Sequence, residues 1–235
     1  MKKIFYISIA FCIVIGSAVP AGSLDAANLA VRRVEGYKPS TGNRLMVHNV
    51  PHVLQSPFNT WSDPRLNDGC EEASLLMAMS WIRGEPYSSA QVQQEIINMS
   101  ELEKRMWGFF QDTSAADTAS LMKAYFGYPI NVQHNISTSD IVVALSQNKA
   151  VIVPINGSKF YANGGPPRHT IVIKGFDFET VEFIVNDPYL INGGDLRVEE
   201  QVLSQSLKDY YSGVHIGRRP AHNAMLTIDW PWVTP

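Results

Sequence analysis

The spacing of apolar residues changes along the chain, from helical in the first half to strand-like in the second. The segment Cys70–Arg83 (CEEASLLMAMSWIR) is rich in strong helix formers, and Gly84 follows it as a natural helix end. Ser88, with Gln91 three residues later, has the spacing of a capping box and predicts the start of a second helix. Two further helices are predicted over residues 115–126 and 140–147.

Short β-branched runs bounded by Gly, Pro and Asp follow in the second half. The predicted strands cover about residues 150–155, 170–175, 181–185 and 224–228, with one late helix over about 198–210. Helices that come first and antiparallel strands that come later indicate the α+β class. The chain has neither a repeated strand–helix–strand alternation nor a Gly-rich phosphate loop.

The first 21 residues have the features of a secretory signal peptide rather than of a folded element. Lys2 and Lys3 precede the apolar run Ile4–Val19, which is shorter than the roughly 20 residues that a membrane-spanning helix needs. We predict cleavage after Ala21, with an uncleaved membrane anchor as the alternative. We interpret residues 22–44 as a linker or N-terminal strap and residues 45–235 as one globular domain.

Charge and cysteine content narrow the function classes. The formal net charge is −3 and no basic cluster is present, so we expect no nucleic-acid partner and no stable membrane insertion after signal cleavage. We expect a monomer that is secreted or otherwise extracytoplasmic. The chain has two cysteines, and Cys12 would leave with the signal peptide. Cys70 would then have no partner for a disulfide within the chain, so its thiol is either buried and inert or kept for chemistry.

The position of Cys70 favours chemistry. With Asp68 as the N-cap and Glu71 completing a capping box, Cys70 would be the second residue of its helix. Unpaired amide N–H groups and the helix dipole at that position lower a cysteine pKa. Glu71 and Glu72 oppose this effect, but a histidinium in contact would outweigh them. The sequence therefore predicts a reactive thiolate, with a small buried residue as the alternative.

Among the six histidines, His169 is the candidate partner, since it stands at the start of the strand-like segment TIVIKG. His48 and His52 are four apart, but Pro51 between them argues against a helix that would turn both towards one metal, so we expect no zinc site. A hairpin centred near residue 178 would place His169 opposite Asp187, close enough for an imidazole–carboxylate hydrogen bond. An ordinary cross-strand polar pair is the alternative. A register one residue off would bring Asn186 to the ring instead.

Three stretches together resemble the stand-alone relatives of cysteine peptidase family 39: VPHVLQSPFNTWSDPRLNDGCEEASLLMAMSW, RHTIVIKGFD and FIVNDPY. The best-known members of that family are bacteriocin-processing peptidases that cleave double-glycine leaders and have a papain-like fold. The resemblance implies an α+β fold in which the nucleophile begins a helix packed on an antiparallel sheet. It implies Cys70 as nucleophile, His169 as base, Asp187 as the acid that orients the histidine, and Gln55 as a side-chain donor to the oxyanion. The segment between Gln55 and Cys70 is longer than in many relatives.

The function that follows from this resemblance is that of an exported cysteine peptidase. It would hydrolyse peptide or protein substrates through a Cys-His-Asp triad and an acyl-enzyme, without a metal or an organic cofactor. Two alternatives remain open at this stage. One is a cell-wall peptide amidase or acyl transferase that uses the same triad, and the other is a non-catalytic peptide-binding module on the same fold.

Overall fold

The structure is a computed structural model of the 235-residue chain, and it describes residues 45–210 and 223–229. The predicted signal peptide and linker lie outside the described residues, as does the predicted cleavage point. In the part of the chain that the structure describes, no helix is long and apolar enough to cross a membrane.

The predicted helices are present, and two short ones accompany them. Ser88 and Gln91 form the predicted capping box, and Gly84 ends its helix in the left-handed conformation with φ 68°. The helices are α1 Pro64–Asn67, α2 Cys70–Arg83, α3 Ser89–Trp107, α4 Ala115–Phe126, α5 Thr138–Ser146, α6 Gly157–Phe160 and α7 Glu200–Ser206.

Within residues 45–210 and 223–229, seven strands form one sheet in which all the pairings of neighbouring strands are antiparallel. The strands are β1 Leu45–Val47, β2 Asn131–His134, β3 Lys149–Ile155, β4 His169–Asp177, β5 Glu182–Asn186, β6 Leu196–Glu199 and β7 Ala224–Asp229. Their order across the sheet is β2-β7-β3-β4-β5-β6, and β1 pairs with the C-terminal part of β4. The α+β class is confirmed.

The sheet is covered on both faces, which explains why its central strands are almost continuously apolar. Alternate residues of β3 point to opposite sides. Ile152 packs with the cores of α2, α3 and α4, whereas Val151 and Val153 pack with α5 and α7. Every residue of β4 is buried.

Helix α2 packs directly against β4, and this contact brings the two predicted catalytic residues to the same end of the molecule. Cys70 is the first residue of α2 and His169 is the first residue of β4. Ser74, one turn into the helix, donates its hydroxyl to Cys70 O at 2.8 Å and lies 3.5 Å from Thr170 O. The start of the helix is therefore tied to the start of the strand.

Candidate active site

Cys70 begins α2, as predicted, but the cap differs from the prediction. The N-cap is Gly69, which has no side chain to donate or accept a hydrogen bond, and Asp68 instead ends the short helix α1. Cys70 is thus the first helical residue rather than the second. A Cβ at residue 69 would lie 2.8 Å from both Arg65 O and Ile96 Cγ2, so the close approach of α1 and α3 requires glycine at the cap.

The predicted low pKa of the Cys70 thiol is wrong for the resting structure. Burial raises the pKa of Cys70 well above its ordinary value, and the charge and hydrogen bond of Glu71 raise it further. Cys70 is 7% exposed, and its Sγ donates to Glu71 Oε2 at 3.0 Å. The backbone N–H of Thr170 acts in the opposite direction but does not outweigh these effects. Cys70 is therefore a neutral thiol at rest.

We expected a histidinium to outweigh the effect of Glu71 and Glu72 on the pKa of Cys70. Both residues are in fact buried and belong to a cluster of carboxyl groups near Cys70. Ser100 Oγ on α3 donates to Glu72 Oε1 at 3.0 Å. Burial raises the pKa of Glu103, which faces Glu72, so Glu103 is protonated and hydrogen-bonds to the Glu72 carboxyl. Burial also raises the pKa of Glu71 well above its ordinary value and that of Glu72 to about 7, so this Glu cluster (Glu71, Glu72 and Glu103) offers Cys70 no positive charge and opposes a thiolate wherever it ionises.

His169 is held from two directions at the N-terminal end of β4. Its ring Nε2 lies 2.8 Å from Asp187 Oδ1, within the distance predicted for an imidazole–carboxylate hydrogen bond. Its backbone N–H donates to Tyr210 Oη at 2.8 Å, and the ring is 2% exposed. Because Asp187 engages Nε2, the second ring nitrogen, Nδ1, is the one left for another partner.

Asp187 reaches the histidine by a different register from the one predicted. In the β4–β5 hairpin Val172 pairs with Asn186, and a bulge at Lys174 shifts the register nearer the turn. Asp187 follows β5 directly and meets His169 diagonally rather than from directly opposite. Asn186 does not face the ring, since its Nδ2 donates to Val50 O at 2.9 Å.

Hydrogen bonds lower the pKa of Asp187 in spite of its burial. Burial alone would raise that pKa, but the hydrogen bond and charge of His169 and the hydrogen bonds from Tyr161 and the Tyr189 backbone outweigh it. Asp187 is fully buried and ionised, as an acid that orients a histidine must be.

Gln55 lies beside the nucleophile, but its side-chain amide is already engaged. Its Nε2 donates to Leu66 O at 3.1 Å and to Asn67 O at 2.8 Å, and Oε1 has no hydrogen-bond partner among the described residues. Both hydrogens of Nε2 thus hold the segment that leads into Cys70. To donate to an oxyanion, Nε2 would have to exchange one of these carbonyls for the negatively charged oxygen.

Tyr161 and Tyr210 contribute to the site without any signal in the sequence. Tyr161 Oη donates to Asp187 Oδ2 at 2.5 Å, and its ring centroid lies 6.1 Å from that of His169. Tyr210 Oη contacts both the backbone N–H and the backbone O of His169. Both tyrosines lie in irregular segments outside the motifs, so neither spacing nor periodicity could identify them.

Cys70, His169 and Gln55 line one cavity of about 790 Å³, a size typical of a ligand-binding cleft. Phe160, Leu196, Val198 and Val202 form its apolar wall. Asn67 and Asp68, from the segment before the nucleophile, also line the cavity. Cys70 comes from α2, His169 from β4 and Gln55 from the segment before α1, so the fold brings distant parts of the chain to a single cleft.

A cysteine that starts a buried helix and shares a cleft with a histidine–carboxylate pair on an antiparallel sheet defines a papain-like cysteine peptidase. The Peptidase_C39 like family model matches residues 47–214, which is most of the chain. The chain belongs to this family and is a cysteine-type peptidase.

Comparison with solved structures gives one neighbour whose similarity supports the fold, and two weaker ones. A structure described as a C39-like peptidase from Bacillus anthracis has a TM-score of 0.52 at 16% identity, covering 79% of this chain and 98% of that one. UfSP from C. elegans has a TM-score of 0.38 at 14% identity, covering 84% and 36% of the two chains. Xylellain, a cysteine protease from Xylella fastidiosa, has a TM-score of 0.30 at 11% identity, covering 82% and 84%. The comparison with curated proteins found no match.

Proposed function

We propose that this protein hydrolyses peptide bonds outside the cytoplasm, with Cys70 as nucleophile, His169 as base and Asp187 as the residue that orients the histidine. The observation that carries the proposal is the cleft that both Cys70 and His169 line, together with the Asp187 oxygen that lies 2.8 Å from His169 Nε2. Export rests on the charged start and short apolar run of residues 1–21. The substrate class is peptide or protein, and the protein acts as a monomer.

The neutral state of Cys70 determines the order of proton transfers. His169 Nδ1 takes the thiol proton as Sγ attacks the carbonyl carbon, so His169 acts as a general base during attack. Asp187 stabilises the imidazolium that forms. The negative charge moves from sulfur to the carbonyl oxygen of the substrate and away from Glu71.

The oxyanion is stabilised by two donors at the start of α2. Cys70 is the first residue of its helix, so its backbone N–H has no acceptor within the helix. Gln55 Nε2 supplies the second donor by exchanging one backbone carbonyl for the oxyanion, since a hydrogen bond to a charged oxygen is the stronger one. The leaving amine takes the proton from His169, and water then hydrolyses the acyl-enzyme with His169 again as base.

The proposal is tested by incubating the protein without residues 1–21 with a diverse peptide library and analysing the products by mass spectrometry. Cleaved peptides that are absent with Cys70→Ala support it, and the apolar wall of the cleft predicts an apolar side chain near the cleaved bond. Cleavage confined to cell-wall peptides would identify the amidase alternative. Saturable peptide binding without cleavage would identify a binding module and contradict the proposal.

A further inference from the structure

Asp187 is surrounded by more hydrogen-bond donors than the orientation of one histidine requires. Its Oδ1 accepts from His169 Nε2 at 2.8 Å and from the Tyr189 backbone N–H at 2.9 Å. Its Oδ2 faces away from the ring and accepts from Tyr161 Oη at 2.5 Å. Its backbone N–H donates to Gly193 O and its backbone O accepts from His52 Nε2.

Tyr161 belongs to the wall of the cleft and donates to the Asp187 oxygen that faces away from His169. It immediately follows α6, and the segment around it, residues 160–166, lines the cavity together with His169. Two further partners of Asp187 also line the cleft: the His169 side chain and the Tyr189 backbone N–H. Its remaining partners, His52 and Gly193, do not line it. A hydrogen bond thus connects the cleft wall to the far oxygen of the orienting carboxylate.

The placement of the Tyr161 ring is tightly constrained. Its ring packs over Gly165, where a Cβ would lie 2.0 Å from Tyr161 Cδ2, and Phe160 meets it edge-on at 5.1 Å. Burial and the charge of Asp187 raise the pKa of Tyr161, so the hydroxyl stays protonated and able to donate. These contacts with Gly165 and Phe160 favour the ring position from which the hydroxyl reaches Asp187.

We propose that Tyr161 is a positioning residue that holds Asp187 in the orientation at which it binds His169 Nε2. This inference rests on the proposed function only for its predicted effect on kcat. Without the hydroxyl, Asp187 Oδ2 would be a buried charged oxygen with no donor from Tyr161, and the carboxylate would gain freedom to rotate away from the ring. Tyr161 touches neither the nucleophile nor the reacting carbonyl in this scheme, and it acts through Asp187 alone.

Tyr161→Phe tests the proposal because it removes the hydroxyl and keeps the ring over Gly165. We expect kcat to fall about 10- to 100-fold, the range for a hydrogen bond to a charged group, with KM within about twofold of wild type. The matched control is Tyr125→Phe, which removes a tyrosine–carboxylate bond of the same 2.5 Å length to Glu95, between α3 and α4. The control should leave kcat unchanged.

A double-mutant cycle distinguishes positioning from a general structural role. In an Asp187→Ala background, Tyr161→Phe should have almost no further effect, because its route to His169 is already lost. A kcat unchanged in Tyr161→Phe, or an effect of the same size in both backgrounds, would overturn the proposal. Gly165→Ala, which displaces the ring and keeps the hydroxyl, should lower kcat in the same way.

A measurement without substrate separates this inference from the proposed function. The low-field ¹H NMR signal of the His169 Nε2 proton reports its hydrogen bond to Asp187 directly. In Tyr161→Phe we expect this signal to shift and to exchange faster with water, while Tyr125→Phe leaves it in place. If this signal shifts in Tyr161→Phe although the wild-type protein cleaves no peptide, the positioning role is supported and the proposed function is contradicted. An unchanged signal would overturn the positioning role.

Discussion

Glu71→Gln should make the nucleophile more reactive, although it alters a residue in direct contact with that nucleophile. Glu71 Oε2 accepts the Cys70 thiol hydrogen at 3.0 Å, and the charge and hydrogen bond of Glu71 follow burial as causes of the raised pKa of Cys70. Glutamine has nearly the same shape and carries no charge. Its amide can also donate to a thiolate, so both changes lower the pKa of Cys70.

The magnitude follows from general behaviour of thiols. A neighbouring charge typically shifts a pKa by about 1–3. Each decrease of one in pKa raises the thiolate fraction about tenfold, while the intrinsic nucleophilicity of the thiolate falls about threefold. The net gain is therefore about threefold per pKa unit, so Glu71→Gln should raise the alkylation rate by about 3- to 30-fold at a pH at which Glu71 is ionised. Burial raises the pKa of Glu71 well above its ordinary value, so the gain should be small at mildly acidic pH, where this carboxyl is protonated, and should grow as the pH rises. Burial, the largest cause of the raised pKa, stays in place in this variant.

The assay is iodoacetamide alkylation of Cys70 across pH 5–10, followed by intact-protein mass spectrometry. The wild type should react slowly at mildly acidic pH, and the midpoint of its rate profile should move to lower pH in Glu71→Gln. Glu72→Gln is the matched control, since Glu72 acts on Cys70 only through its charge and should give a smaller change in the same direction. A midpoint that stays in place or rises in Glu71→Gln would refute the claim that Glu71 keeps the thiol neutral.

Two further predictions concern the other site residues. In steady-state peptide hydrolysis, His169→Ala should lower kcat by about 10³- to 10⁶-fold. Asp187→Ala should severely lower kcat, and Asp187→Asn should lower it less, because an amide can still orient the ring. Near-normal turnover of His169→Ala would exclude His169 as the base. Gln55→Ala should lower kcat by about 10²- to 10³-fold if Nε2 reaches the oxyanion. A loss of thermal stability in Gln55→Ala with unchanged kcat would instead assign Gln55 to holding Leu66 and Asn67.

Local sequence signals predicted the helices and central strands well, because each was self-contained. Gly84 ends α2, and Ser88 with Gln91 begins α3, through contacts within a few residues. The short strands β1, β2 and β6 and the short helices α1 and α6 were missed. They have three or four residues each, too few to establish a period, and β1 and β6 exist because they pair with β4 and β5.

The hairpin shows how a correct pair can follow from an incorrect register. The alternation of residues gives no sign of the bulge at Lys174, whose buried ammonium donates to Val50 O at 3.0 Å and contacts Asp195 at 2.9 Å. These long-range contacts fix the bulge. His169 and Asp187 meet nonetheless, since diagonal neighbours on one face of a hairpin are also within reach.

The electrostatics of Cys70 could not be predicted from its position in the helix. The argument from the helix dipole assumed an accessible thiol with Glu71 and Glu72 directed to solvent. Acidic residues in a first helical turn are usually exposed, and only tertiary packing buries these two beneath the nucleophile. Tyr161 was missed for the same reason, because its contact with Asp187 joins residues 26 positions apart.

The central claim is that Cys70 attacks the substrate, and trapping of the acyl-enzyme tests it most directly. A slowly hydrolysed peptide ester would be mixed with the protein and quenched in acid within milliseconds, and the protein would be digested and mapped by mass spectrometry. The account predicts the acyl mass on the peptide that contains Cys70, and no acyl adduct with Cys70→Ala. An adduct on another residue, or undiminished hydrolysis by Cys70→Ala, would contradict it.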